Sequence, residues 1–444
     1  MRGFASYILL LLFVALITVM GTVLPSPHDS LVQAASAGDV VVATYEGVIN
    51  PVAAEYLHDA LATAQTSGAQ ALVIRLDTPG GLDTSMRLII KDITAATIPV
   101  VVFVAPSGGR AASAGVFITL SAHLAAMSPG TNIGAAHPVA MGGGEMDKTM
   151  KEKVENDSVA YIKTIAEQHG RNVTWAEDAV RKSVSVTESE ALKLKIIDLV
   201  ADDVPALLKR IHGRTITLMN GSVTLATDGA AIQEYPMGLR LEMLKALSDP
   251  NIAYLLMTLG TIGLLAELYN PGAILPGIVG AISLILAFYS LQSLPVNYAG
   301  VLLLICGIVF LVLEISVTSY GLLALGGITA MTLGGLLLIK TDAPYLQVSL
   351  SFLLPTVLTV AVMVGFVIWL AVTNSRRRPV TGMEGMIGTI GIATTDLTPH
   401  GQVTLHGEIW DAVSREPIKR GEEAEVRSIQ GLTLTVTPPQ KSSP

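Results

Sequence analysis

The chain has a single cysteine, Cys306, in 444 residues, which excludes an intrachain disulfide and any thiolate zinc cluster. It sits inside an apolar run, a poor setting for a cysteine nucleophile. Charged residues are also few, at 14%, and acids outnumber bases to give a formal net charge of -8. A protein that holds nucleic acid needs a concentrated basic face, and none is visible.

What is abundant is hydrocarbon, since 51% of the residues are hydrophobic. At roughly 150 residues per domain the length corresponds to about three units. The uneven distribution of charge divides the chain accordingly. Arg2, the apolar run Phe4 to Leu24 and Ala35-Ser36-Ala37 read as a secretory signal over 1–37, with an uncleaved anchor as the other reading. Either places the next segment, 38–235, outside the cytoplasm. There Val40 to Tyr45, Ala71 to Leu76 and Val100 to Val104 are short, apolar and rich in Val and Ile, as buried strands are. Pro51 to Gln65, Thr84 to Ala95, Ala111 to Leu120 and Val154 to Gln168 carry helical spacing, and Gly142-Gly143-Gly144 reads as a loop. Strands alternating with helices predict an α/β fold around a parallel sheet.

Residues 250–374 predict an α-helical transmembrane bundle. Breaks at Asn270-Pro271-Gly272, Ser293 to Asn297, Ser316 to Ser319 and Thr341 to Tyr345 cut it into about five segments. Each is close to the roughly 20 residues that cross a bilayer. Gly260, Gly263, Gly326, Gly327, Gly334 and Gly335 allow close helix approach, and Glu267 and Glu314 lie near span ends. Arg376-Arg377-Arg378 marks the cytoplasmic side, so the multi-pass chain in the cell membrane has an extracytoplasmic first domain and a cytoplasmic tail. In that tail, 383–440, five short β-runs separated by turns predict a small all-β barrel of the OB type. From Val380 to Pro444 there are five Lys or Arg against eight Asp or Glu, and Trp410 is the only aromatic ring. This favours contact with protein rather than nucleic acid.

The chemistry centres on Ser113, in Gly109-Arg110-Ala111-Ala112-Ser113-Ala114-Gly115 after an apolar strand. A serine there is either an ordinary helix N-cap or a nucleophile in the positive field of a helix start. A nucleophile needs a base and an oxyanion site. The N–H of Ala114 is one oxyanion donor, and the turn Asp77-Thr78-Pro79-Gly80-Gly81 offers a second at Gly81. Lys148, Lys151 and Lys153 are the basic candidates, among which spacing does not choose. A lysine base must be neutral, its pKa brought from about 10.4 toward roughly 7 or 8 by an apolar cleft.

At these residues the chain resembles the NfeD-type membrane serine proteases, a group related to the Clp protease subunit. The resemblance covers nearly the whole chain. Besides the two glycine-rich segments it rests on Pro129-Gly130-Thr131-Asn132-Ile133-Gly134-Ala135 and Ala160-Tyr161-Ile162-Lys163. The last sets the register that makes Lys153 the general base, and the same comparison makes Ser113 the nucleophile and the N–H groups of Gly81 and Ala114 the oxyanion donors. His137-Pro138 resembles the base region of the Clp subunit, but the third triad position falls at about Ser183 rather than at an aspartate.

The resemblance implies a Clp/crotonase-like protease domain, a transmembrane bundle and an OB-fold domain. It also implies a homo-oligomer in the bilayer that cleaves apolar polypeptide segments, such as those of stomatin-like partners, without metal or cofactor. The rival function is a non-catalytic scaffold binding a stomatin- or flotillin-like protein. An acyl-CoA enzyme of the crotonase type would need a CoA site and a placed carboxylate that these motifs do not supply.

Overall fold

Alternate residues of Val40–Glu46 (β1) enter opposite apolar layers: Val41, Ala43 and Tyr45 pack on one side, Val40 and Val42 on the other. A strand buried on both faces belongs inside a parallel sheet with cover on each side. The chain alternates to match. In the computed structural model, Pro51–Thr66 (α1) follows β1, started by Pro51 and by Asn50, whose side chain accepts from the Ala53 N–H at 2.9 Å. Ala71–Asp77 (β2), Asp83–Ala95 (α2) and Val100–Val104 (β3) come next. Beyond them the order is Arg110–Ala112 (β4), Ala114–Ser121 (α3), Leu124–Met127 (β5), Asn132–Gly134 (β6), Lys148–Gln168 (α4), Val173–Arg181 (α5) and Ser185–Thr187 (β7). Glu188–Lys193 (α6), Leu199–Val200 (β8), Val204–Ile211 (α7), the hairpin Thr215–Leu218 (β9) and Gly221–Thr224 (β10), Ile232–Tyr235 (β11) and Leu239–Leu247 (α8) complete this part.

The structure describes residues 38–439 except 140–146, 270–271, 273, 293, 318, 320, 342–345 and 376–382. The expected signal at 1–37, the Gly142-Gly143-Gly144 loop and Arg376-Arg377-Arg378 lie outside the described residues.

The main sheet runs β11-β1-β2-β3-β5-β8, and every pairing in it is parallel. One face carries a core that includes residues of α1 to α5, and the other packs on α7 and the β9–β10 hairpin. Leu241 of α8 is buried in the first core. The strands expected at Val40, Ala71 and Val100 form within a residue of the reading. The helix expected from Ala111 begins at Ala114 instead, because β4 is drawn into a second sheet, β4-β6-β7. That small sheet is what carries the serine.

Five apolar helices follow: Pro250–Tyr269 (α9), Ile274–Gln292 (α10), Tyr298–Ser316 (α11), Leu322–Leu337 (α12) and Leu350–Ser375 (α13). Among the described residues, α9 and α10 have the length and composition to cross a membrane, and the apolar stretches of the other three are shorter. Neighbouring helices meet where side chains vanish. A Cβ on Gly307 would lie 2.7 Å from the Met331 nitrogen and 2.8 Å from the Gly327 carbonyl oxygen, so α11 and α12 touch backbone to backbone. Gly326, expected at such a contact, faces nothing closer than 3.7 Å. Glu314 caps the next helix, accepting from the N–H groups of Gly321 at 2.9 Å and Ala324 at 3.0 Å.

The chain divides into two compact units, Met1–Val364 and Gly365–Pro444. The second contains Ile390–Ala393 (β12), His400–Leu405 (β13), Glu408–Ser414 (β14), Glu423–Gln430 (β15) and Thr433–Thr437 (β16), closed in the order β12-β13-β14-β16-β15. All pairings are antiparallel except β14 with β16, the arrangement of an OB-like barrel. Val403, Ala412, Val426 and Leu434 fill its interior.

Candidate active site

The C-terminal end of β2 is tied to the serine segment by backbone and side chain together. Thr78 donates its N–H to the Arg110 carbonyl at 2.8 Å and accepts from the Ala112 N–H at 3.0 Å. The Asp77 carboxylate accepts from the Arg110 N–H at 2.9 Å. On its other side the segment pairs with β6, and Ser113 donates its N–H to the Gly134 carbonyl at 3.3 Å. So the turn at Thr78 and strand β6 hold the serine segment from both sides.

Ser113 has φ 50 and ψ -113, and its side chain does not cap the helix behind it. A non-glycine residue in such a sparsely populated region costs about 1–3 kcal/mol. The geometry is that of a nucleophile elbow, a sharp turn from strand to helix that presents the hydroxyl. It sets aside the ordinary N-cap.

Gly81 is held beside this turn. Its neighbours Gly80 and Leu82 bracket Ile49, the Ile49 N–H donating to the Gly80 carbonyl at 2.8 Å and the Leu82 N–H to the Ile49 carbonyl at 2.7 Å. A Cβ on Gly81 would stand 2.1 Å from the Ile49 carbonyl oxygen, so only glycine fits. Among the described residues neither the Gly81 nor the Ala114 N–H donates to another protein group. Two unpaired backbone donors beside a serine are what a developing oxyanion requires.

These groups line one cleft of about 600 Å³ with Lys153, and Met86, Phe117, Ala136, Val139, Val154 and Leu346 make its apolar wall. Of the three candidate lysines only Lys153 reaches it. The expected dry surroundings of the amine are not there, because Lys153 is exposed. The cause is local: the first buried residue of α4 is Ser158, and the helix before it overhangs the core.

His137 does not line the cleft, although Ala136, Pro138 and Val139 do. Its Nδ1 lies 2.9 Å from the Val180 carbonyl, to which it donates. Ser183 is exposed and does not line the cleft either. Sequence reasoning missed Arg87 and Asp157, which line the mouth. The guanidinium binds Asp83 at 2.8 Å and Asp157 at 2.6 Å. Partial burial pulls Arg87 toward neutrality, but the bond to Asp83 and the charges of Asp83 and Asp157 outweigh it, and its pKa is raised. The Asp83–Arg87 spacing of four residues was the available signal.

Residues 39–208 match the family described as NfeD1b, N-terminal domain, residues 251–370 the NfeD integral membrane domain, and residues 383–438 the NfeD-like C-terminal, partner-binding domain. The chain is 36% identical over 414 residues to the membrane-bound protease PH1510 of Pyrococcus horikoshii, across 90% of this chain and 94% of that protein. It is 27% identical over 405 residues to the membrane protein NfeD1b of Bacillus subtilis, across 86% and 89% of the two chains. A solved lysine-to-alanine mutant of 1510-N, described as a membrane-bound stomatin-specific protease in complex with a substrate peptide, aligns with 33% identity and a TM-score of 0.45. That alignment covers 48% of this chain and 99% of the other. By its end-to-end identity with a named protease and by all three of its domains, the chain belongs to the NfeD family of membrane-bound proteases.

Proposed function

We propose that the protein is a membrane-bound serine endopeptidase in which Ser113 and Lys153 form the catalytic pair. The observation that carries this reading is that the strained serine, the lysine and two unpaired N–H groups all line a single cleft. The neutral Lys153 amine takes the Ser113 proton as Oγ attacks the scissile carbonyl carbon. The N–H groups of Gly81 and Ala114 hold the oxyanion, and Lys153 returns the proton to the departing amine. Water, deprotonated by the same amine, then hydrolyses the acyl-enzyme. Every step uses groups of this chain. An apolar polypeptide in the cleft displaces water from around the reacting groups.

The apolar wall selects hydrophobic segments of membrane-associated polypeptides, and stomatin-like proteins are the substrates that the family resemblance points to. Five spans, an extracytoplasmic Clp-like protease domain, a cytoplasmic barrel that contacts a stomatin- or flotillin-like partner, and a homo-oligomer complete the reading. Ser113→Ala and Lys153→Ala in the full-length chain each reduce cleavage of a hydrophobic peptide by at least about 10³-fold without lowering the melting temperature. A fluorophosphonate labels Ser113 in the wild type, and the label is lost in Lys153→Ala but kept in His137→Ala. Full activity in either member of the pair overturns the assignment and leaves a non-catalytic scaffold.

A further inference from the structure

The half of α4 that carries Lys153 has almost no core contact of its own. From Lys148 to Asp157 no residue is buried, and only Val154 and Glu155 are even half-buried. Polar ties hold this overhang from two sides. Arg181 of α5 reaches Glu155 at 3.0 Å and Asn156 at 3.3 Å. Arg87 of α2 reaches Asp157 from the cleft side at 2.6 Å.

The cleft-side tie has more to it than one ion pair. Lys153, Asp157 and Tyr161 stand four residues apart and form a single stripe along α4. Arg87 bonds to the second of these and lies 4.3 Å from the ring centroid of the third. Tyr161 in turn stacks on Phe117, with centroids 6.0 Å apart, and Phe117 is one turn beyond Ser113. Arg87 also bonds to Asp83, two residues after Gly81. One guanidinium therefore ties α2, which starts just after the Gly81 turn, to α4, and its contact with Tyr161 leads on to Phe117 of the helix behind Ser113.

We infer that Arg87 is a positioning residue, which fixes the overhanging part of α4 so that the Lys153 amine faces the Ser113 hydroxyl. The inference rests on the Ser113–Lys153 reading. Arg87 contributes little to stability, because its ion pairs are exposed and such pairs are weak. Its effect is geometric. Without it the overhang keeps, among the described residues, its tie to Arg181, and the amine spends less time within reach of Oγ.

The test uses the full-length protein with a hydrophobic peptide substrate. Arg87→Met keeps the apolar stem on Tyr161 and removes both charge-assisted bonds. It lowers kcat about 10-fold and leaves KM and the melting temperature near wild type. The rate of fluorophosphonate labelling at Ser113 falls in parallel, and Arg87→Lys recovers part of the loss. Asp157→Asn, which cuts the same tie from the other helix, reproduces the effect. In a Lys153→Ala background Arg87→Met costs nothing further, since no amine remains to be placed. Wild-type kcat in both Arg87→Met and Asp157→Asn, a loss confined to KM, or losses that multiply with Lys153→Ala each overturn the inference. Full activity of Lys153→Ala overturns the Ser–Lys reading itself, a result distinct from these.

Discussion

At the scale of single residues the tightest constraint in the site is backbone space. Gly81 is the sharpest case, because a methyl group there would occupy the space of the Ile49 carbonyl oxygen. In Gly81→Ala the turn has to move away from the β1–α1 connection and takes its N–H with it. Cleavage falls about 10²-fold, and the melting temperature drops as well. Peptide turnover beside a thermal melt checks both, and normal turnover would show that this N–H does not serve the reaction. The two glycine-rich motifs were legible in the sequence because tight turns leave a compositional mark. The solvent around Lys153 was not, since helical spacing over Val154 to Gln168 says nothing about where the core ends beneath a helix. Arg87 went unnoticed for a related reason: its partner Asp157 is 70 residues away.

Elements add constraints that no single residue carries. The far end of α4 is capped by His169, whose ring meets His123 edge-on with centroids 6.1 Å apart. Beside it the buried Arg171 guanidinium donates to the carbonyls of Leu120, Ala122 and Ile196. Burial first, and then the charges of Arg171 and His123, lower the His169 pKa to about 4, and burial lowers that of His123 too. The unfolded chain therefore accepts protons that the folded one refuses. This costs stability as pH falls from about 6.5 toward about 4, with no further loss below that. Between pH 7 and pH 5 the His169 contribution to stability falls by on the order of 1 kcal/mol, allowing for solvent screening. Thermal melts of wild type and His169→Asn at the two pH values check it, and an equal drop in both would reject it. Strands β1 to β3 were plain from their apolar runs, and the barrel strands from their turns. Strands β4, β6 and β7, three residues each, are too short to show a period, and they are the ones that position Ser113.

At the scale of the whole molecule the order is an α/β protease part, an apolar helical block and an OB-like barrel. The proposed odd number of spans puts the two soluble parts on opposite sides of the membrane. A reporter that works only outside the cytoplasm is active when joined after Leu247, and one that works only inside is active at the carboxyl end. The opposite pattern would exclude the five-span topology. The division into parts was legible because lipid demands long apolar stretches. The walls of the cleft were not, because they come from segments far apart in the chain.

Leu346, between α12 and α13, lines the Ser113 cleft and also a small hollow beside it with Leu294 and Ser248. The wall of the Ser113 cleft thus includes a residue from the apolar helical block, and a fragment ending before Pro250 would lack that part of the wall.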